Sequence, residues 1–167
     1  GKDVIDEAAF VAKIAAAVSA RSPNGPLIIA RTDARAVLGF DVAITRAGLA
    51  LEAGADMVFV EAVETLDELV AVPRAVPGPC LLNLVQRGRT PPVSLAQAES
   101  MGYRLAIVPG MLLKAFVAAA DRALSTLRQE GHLAQGDIDV ADAFRRFGAT
   151  EWDGLRERFG AGERAIS

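Results

Sequence analysis

Arg31, Glu61 and Asn83 each stand where a short apolar run meets polar chain. The runs are Leu27–Ala30, Met57–Val60 and Cys80–Leu82. Arginine offers a planar fork to a carboxylate or phosphate. Asparagine adds a neutral donor and acceptor, and a glutamate can hold a metal-bound water. Together the three suit a small carboxylate substrate. Asp33 follows Arg31 by two positions. Asn83 leads into Gln86-Arg87-Gly88-Arg89-Thr90-Pro91, whose two arginines around a glycine suit a lid over an anionic ligand.

Plainer readings stand beside these. Arg31 and Asp33 could simply pair at a strand end. Glu61 and Asp33 could answer helix macrodipoles, and Arg87-Gly88-Arg89 could be a solvated turn. Asn83 is harder to dismiss, because an amide inside an apolar strand needs partners. His132 reads as a surface residue, since one ligand does not make a metal site. Cys80 reads as a small core hydrophobe, and Trp152 as a packing anchor for the tail helices. No Ser-His-Asp set, Walker loop or Gly-x-Gly-x-x-Gly occurs.

The elements that must position these residues alternate. Helical spacing predicts helices over Asp6–Ser22, Phe40–Ala53, Leu66–Ala75, Ser94–Met101 and Met111–Glu130. Between them lie four apolar strands, the fourth at Arg104–Val108. That rhythm means βαβ units and a parallel sheet, with chemistry at the carboxyl ends of the strands. The sheet could be open and flavodoxin-like, or half of a closed barrel; a whole barrel needs about 250 residues. Two short helices, near Val140–Phe147 and Thr150–Phe159, fall outside the rhythm.

The 167 residues carry a net charge of -3 and are 51% hydrophobic, which suits a folded domain and not a nucleic-acid binder with a basic face. The lone cysteine, Cys80, fits a reducing cytoplasm. No apolar run approaches the roughly 20 residues that span a bilayer, so no membrane partner is expected. The opening Gly-Lys-Asp, without Met, reads as a sign of truncation.

Three stretches resemble the isocitrate lyase and phosphoenolpyruvate mutase superfamily: LIIARTDARA (Leu27–Ala36), AITRAGLALEAGADMVFVEA (Ala43–Ala62) and LLNLVQRGRTP (Leu81–Pro91). The resemblance implies an α/β fold, the C-terminal half of a TIM-type (β/α)₈ barrel holding the fifth to eighth strands over residues 1–131. Residues 132–167 would be a helical tail packed on another subunit of a homo-oligomer, a tetramer in the family. Arg31 would bind the substrate carboxylate and Asn83 would touch the substrate, with Thr90 and Pro91 beside it. Glu61 would act in the metal's outer shell through water, and Asp33 would support the mouth. Lys114 stands where methylisocitrate lyases carry an arginine for a distal carboxylate. Gln86 replaces a common Glu, and Met111 a histidine of the oxaloacetate decarboxylase branch.

The implied activity is Mg²⁺-dependent (or Mn²⁺-dependent) C–C lyase chemistry on a small 2-hydroxy acid of the isocitrate or 2-methylisocitrate type, through a pyruvate-like enolate. Phosphonomutase, phosphonopyruvate hydrolase or oxaloacetate decarboxylase activity is the alternative within the superfamily. A non-catalytic truncated half-barrel is the alternative outside it. Gly1-Lys2 resembles the residues just after the family's Lys-x-Cys-Gly-His loop. That loop and the aspartates that direct Mg²⁺ binding are absent from these 167 residues, so the fragment alone is expected to be inactive.

Overall fold

Alanine-rich segments coil into helices and short aliphatic runs extend between them. The structure, a computed structural model, describes residues 3–85, 88–133, 136 and 138–160. Helix α1 (Glu7–Ala20) starts at Asp6, whose carboxylate accepts the Ala9 N–H at 2.8 Å. Strand β1 (Ile29–Thr32) follows, then α2 (Ala34–Leu38), α3 (Phe40–Glu52) and β2 (Met57–Val60). Next come α4 (Leu66–Ala75), β3 (Leu81–Asn83), α5 (Leu95–Met101) and β4 (Leu105–Ile107). Helices α6 (Met111–Glu130), α7 (Val140–Arg146) and α8 (Ala149–Phe159) complete the described chain. Thr65 and Ser94 open α4 and α5 with reciprocal capping boxes to Glu68 and Gln97.

The described chain forms two compact units that divide between Lys114 and Ala115. In the first unit every strand pair is parallel. β1 lies on β2 with Arg31 opposite Phe59, and β3 lies on β4 with Leu81 opposite Leu105. A bridge between Val58 and Cys80 joins the two pairs. The strands thus neighbour one another in chain order. A doubly wound open sheet reverses its order at a switch point; this one does not, which is the pattern of a (β/α)₈ barrel.

Strand alternation sends Ala30, Val58, Val60, Cys80 and Leu82 into one core with Phe10, Ala43, Ala47, Leu69 and Val72 from the helices. Cys80 is buried there as a free thiol, and burial pushes its pKa up to about 11. It is the core hydrophobe that its sequence context suggests.

Strand β1 is displaced from its predicted span of Leu27–Ala30. Asp56 is the cause. Its carboxylate accepts the Ile28 N–H at 2.8 Å and pairs with Arg21, while its own N–H donates to the Ile28 carbonyl at 3.0 Å. The Ile28 hydrogen bond holds the Asp56 carboxyl below its ordinary pKa; desolvation opposes this and Arg21 reinforces it. The strand proper begins after this clamp. It continues through Arg31 and Thr32, because the Glu61 N–H donates to the Thr32 carbonyl at 3.0 Å. Arg31 and Thr32 therefore belong to the strand and do not merely follow it. Helix α2, absent from the sequence reading, is five residues long, too short to show a period.

Helix α4 contains Pro73, which cannot donate to the carbonyl four residues earlier. That carbonyl, on Leu69, instead accepts the hydroxyl of Tyr103 at 3.0 Å in a buried setting. Gly102, with φ 110°, brings Tyr103 there: it ends α5 in a left-handed conformation and lies so near Pro73 that a Cβ would sit 3.1 Å from the ring's Cβ.

In the second unit α7 packs with α8. Two expectations about the tail are corrected. Trp152 does not anchor packing in the single chain; it is 69% exposed, because the described residues of these two short helices do not enclose an indole. Phe147, expected on a stripe with Val140 and Phe144, lies beyond the last residue of α7 as its C-cap. Among the described residues no helix is long and apolar enough to cross a membrane.

Tyr103→Phe should destabilise the fold by about 1–3 kcal/mol, the cost of an unpaired buried carbonyl. In a Pro73→Ala background, which restores the helical N–H, the same substitution should cost measurably less in urea denaturation. Equal costs in both backgrounds would mean that the hydroxyl does not replace the missing donor.

Candidate active site

The face of the sheet opposite the helix-packed core carries the polar residues. Arg31 lies beside Phe59 in the β1–β2 register, and its guanidinium stacks 5.0 Å from the ring centroid. One alternation further along, past the ends of β1 and β2 and at the last residue of β3, come Asp33, Glu61 and Asn83. The chain leaves β2 through Ala62, a buried alanine at φ 61°. That left-handed turn is costly for a residue with a Cβ. It directs the chain from Glu61 towards Glu64 and the Thr65 cap of α4.

The side chains expected to share one mouth do so. Arg31 Nε and Nη2 donate to the two oxygens of Asp33 at 2.8 and 3.1 Å, and Nη2 lies 3.3 Å from Glu61 Oε2. The plain reading of Arg31 with Asp33 as a strand-end pair is therefore also correct. It changes what Arg31 can offer: one edge of the fork is committed to Asp33, and only Nη1 makes no hydrogen bond among the described residues. The Asp33 hydrogen bond raises the Arg31 pKa, desolvation lowers it and Glu61 raises it further, so the guanidinium stays charged.

Asn83 donates from Nδ2 to Glu61 Oε2 at 3.4 Å. A carboxylate only accepts, so the amide nitrogen must face it. The amide oxygen is thereby turned away; it is buried and finds no partner among the described residues. Asn83, Thr90 and Pro91 line one cavity of about 180 Å³ with Leu84, Val93 and Val108. Arg31 and Asn83 thus share Glu61, and Asn83 keeps a buried acceptor unused among the described residues.

Lys114 sits on the first turn of α6, where its N–H bonds to the Gly110 carbonyl at 2.9 Å. Its side chain is not part of the Arg31 ion-pair group. Gln86 and Arg87, the first two residues of the expected lid, lie outside the described residues. His132 is exposed and pairs with Glu130 at 2.9 Å. Among the described residues no group of three or more His, Cys, Asp or Glu side chains could hold a metal ion. Glu61 alone, already engaged by Arg31 and Asn83, is no direct site for Mg²⁺; it suits at most an outer-shell acceptor.

Sequence reasoning missed Arg35, Glu64 and Glu68. Arg35 donates to both Glu68 oxygens at 3.2 and 3.0 Å and pairs with Glu64 at 3.2 Å. Partial burial raises the Glu68 pKa, but the Glu64 N–H and Arg35 outweigh it, and the net shift is downward. The Thr65-x-x-Glu68 cap was readable in the sequence. Arg35, 33 positions before Glu68, gave no such signal.

Parallel strands in chain order, with charged groups at their carboxyl ends, define part of a (β/α)₈ barrel. A family model for phosphoenolpyruvate phosphomutase matches residues 1–128, and the chain belongs to that family. It is 41% identical over 138 residues to the 2-methylisocitrate lyase of Aeropyrum pernix, an alignment covering 83% of this chain and 44% of the relative. A solved 2,3-dimethylmalate lyase, a member of the PEP mutase/isocitrate lyase superfamily, matches with a TM-score of 0.86 at 34% identity, covering 96% of this chain and 57% of that one. Phosphonopyruvate hydrolase, solved with oxalate and Mg²⁺, matches with a TM-score of 0.79 at 27% identity, covering 95% and 59%. The chain spans about half the length of the relatives it matches.

An unpaired buried acceptor is a cost to stability of about 1–3 kcal/mol. Replacing Asn83 by leucine, of similar shape, should therefore leave the protein at least as stable, with a gain of up to about 1 kcal/mol in urea denaturation. A loss of more than about 1 kcal/mol would make Asn83 a structural partner of Glu61 and not a group held ready for a ligand.

Proposed function

We propose that this chain is the substrate-gripping part of a carbon–carbon lyase acting on a small 2-hydroxy acid of the isocitrate or 2-methylisocitrate type. The observation that carries the reading is the orphaned Asn83 amide oxygen, on a residue that shares Glu61 with Arg31. A carboxylate satisfies the free Nη1 of Arg31. A hydroxyl on the adjacent carbon supplies the donor that Asn83 lacks. A 2-hydroxy acid offers both groups; a fully ionised 2-oxo acid offers no donor. This favours lyase chemistry over the phosphonopyruvate hydrolase, phosphonomutase or oxaloacetate decarboxylase alternatives. Likeness to 2-methylisocitrate lyase supports the same choice.

In this reading Arg31 and Asn83 orient the acid at its carboxylate and hydroxyl. The fixed positive charge of Arg31 steadies negative charge as a pyruvate-like enolate forms. Asp33 locks the guanidinium plane, and Thr90 and Pro91 wall the substrate from water. Mg²⁺ or Mn²⁺ dependence is part of the proposal. The direct ligands would come from outside the described residues, and Glu61 would accept a hydrogen bond from metal-bound water. Lys114 is proposed to meet a distal carboxylate. Activity belongs to a completed barrel, in the cytoplasm, and the 167-residue chain alone is proposed to be inactive.

The tail belongs to the same proposal. Phe144, Phe147, Trp152 and Phe159 are all exposed in the single chain. Burying three such aromatics would contribute several kcal/mol at about 25 cal/mol per Å². We assign the helical tail from residue 132 to a neighbouring subunit of a homo-oligomer.

Two experiments test these assignments. A chimera joining this segment to the N-terminal half of the Aeropyrum pernix relative should cleave a 2-hydroxy di- or tricarboxylate with Mg²⁺. Arg31→Lys should then lower kcat/KM at least about 10-fold, the scale of a charged hydrogen bond. A folded chimera inert towards a broad panel of such acids with Mg²⁺ or Mn²⁺ would overturn the reading; unchanged kcat/KM in the lysine variant would reduce Arg31 to a strand-end ion pair. Separately, deleting residues 140–167 should shrink the oligomer in light scattering. An oligomer of unchanged mass would show that the tail only covers its own chain.

A further inference from the structure

Glu64 joins two segments that are remote in sequence. Its Oε2 lies 3.2 Å from Arg35 Nη2, and its Oε1 lies 3.1 Å from Arg89 Nη1. Arg35 is anchored from behind by Glu68, which holds it with two hydrogen bonds and also accepts the Glu64 N–H at 2.9 Å. Glu68 is in turn fixed as the third helical residue in the capping box of α4. The side chains of Arg35 and Glu68 are mostly buried, whereas Arg89 is largely exposed. One end of this chain of charges is therefore rigid and the other reaches into the loop after β3. Arg89 directly precedes Thr90 and Pro91, which wall the cavity at Asn83.

We propose that Glu64 is a positioning residue: by clasping Arg89 against the anchored Arg35, it sets the Thr90–Pro91 wall over Asn83. The role of that wall rests on the reading of the site given above, but the clasp itself does not. Charge explains why both arginines are needed. Arg35 alone would have Glu64 and Glu68 as two carboxylates on one cation; Arg89 supplies the second positive charge and brings the loop with it. Glu64 spends one oxygen on each arginine, so removing its charge frees the loop without removing the Arg35–Glu68 pair. Among the described residues the backbone adds a restraint, the Gly88 N–H to the Val85 carbonyl at 3.1 Å. That bond does not tie Arg89 to the β2–α4 loop.

The test is backbone ¹⁵N relaxation on the full 167-residue chain and its variants. In the wild type the amides of Gly88, Arg89 and Thr90 should have order parameters near the rigid value of about 0.85. Glu64→Gln and Arg89→Gln should each drop them towards about 0.6 or below, the flexible range. Arg89→Lys, which keeps the charge, should restore most of the order. Unchanged order at 88–90 in Glu64→Gln overturns the proposal. So does an Arg89→Lys variant as mobile as Arg89→Gln, or a Glu64→Gln variant that loosens β2 and α4 as much as the loop. In an active chimera, Glu64→Gln should raise KM about two- to five-fold with kcat nearly unchanged, as expected for an exposed ion pair. Failure of the lyase reading would appear as no turnover in any variant and would leave the relaxation result to decide the clasp.

Discussion

The mouth depends on the parallel pairing of β1 with β2 in the register that sets Arg31 beside Phe59. Side chains along a strand alternate between faces. With Ala30 and Val58 committed to the helix-packed core, Arg31 and Phe59 must face the other way. A slip of one residue would drive a guanidinium into that core and turn aliphatic side chains to the mouth. Burial of the apolar face therefore holds the polar face in place, and the ion pairs of Arg31 refine a position that packing has already chosen. Asp56 guards this register from the other end of the strand, because its carboxylate and its N–H both engage Ile28.

Charge at the carboxyl ends of the strands is arranged in two groups. The inner one, Arg31 with Asp33, Glu61 and Asn83, leaves Nη1 of Arg31 and the buried Asn83 amide oxygen without partners among the described residues. The outer one, Arg35 and Arg89 with Glu64 and Glu68, is closed on itself. Both flank the turn at Ala62, where a left-handed alanine separates Glu61 of the inner group from Glu64 of the outer group. Strain at that position fits a turn whose neighbours on both sides are held by other bonds. An inner group with unused hydrogen-bonding capacity is what a binding site requires, and it costs stability that the alanine- and valine-rich core must offset.

The helices show how a local rule can be broken and repaired at a distance. Pro73 removes a donor inside α4, and Tyr103, thirty positions later, supplies one. The left-handed Gly102 that lets the chain reach Pro73 also ends α5. Burial raises the Tyr103 pKa further above its ordinary range, which keeps the hydroxyl protonated and donating.

The sequence by itself determined the alternation of helices and strands, the parallel character of the sheet, and the convergence of Arg31, Glu61 and Asn83. Those follow from period and from the rule that strand ends share one side of a parallel sheet. Three stretches, Leu27–Ala36, Ala43–Ala62 and Leu81–Pro91, also pointed to the family. Tertiary structure decided the rest. The start of β1 depends on Asp56, 28 positions from the N–H it binds. The use of one edge of Arg31 by Asp33 depends on side-chain geometry that spacing leaves open. The choice between open sheet and barrel rests on strand order, which appears only when Val58 meets Cys80. The pairing of Arg35 and Arg89 through Glu64 carried no signal, because an ion pair between distant positions leaves no period and no motif in the chain. Such contacts exist only once the backbone has brought their loops together.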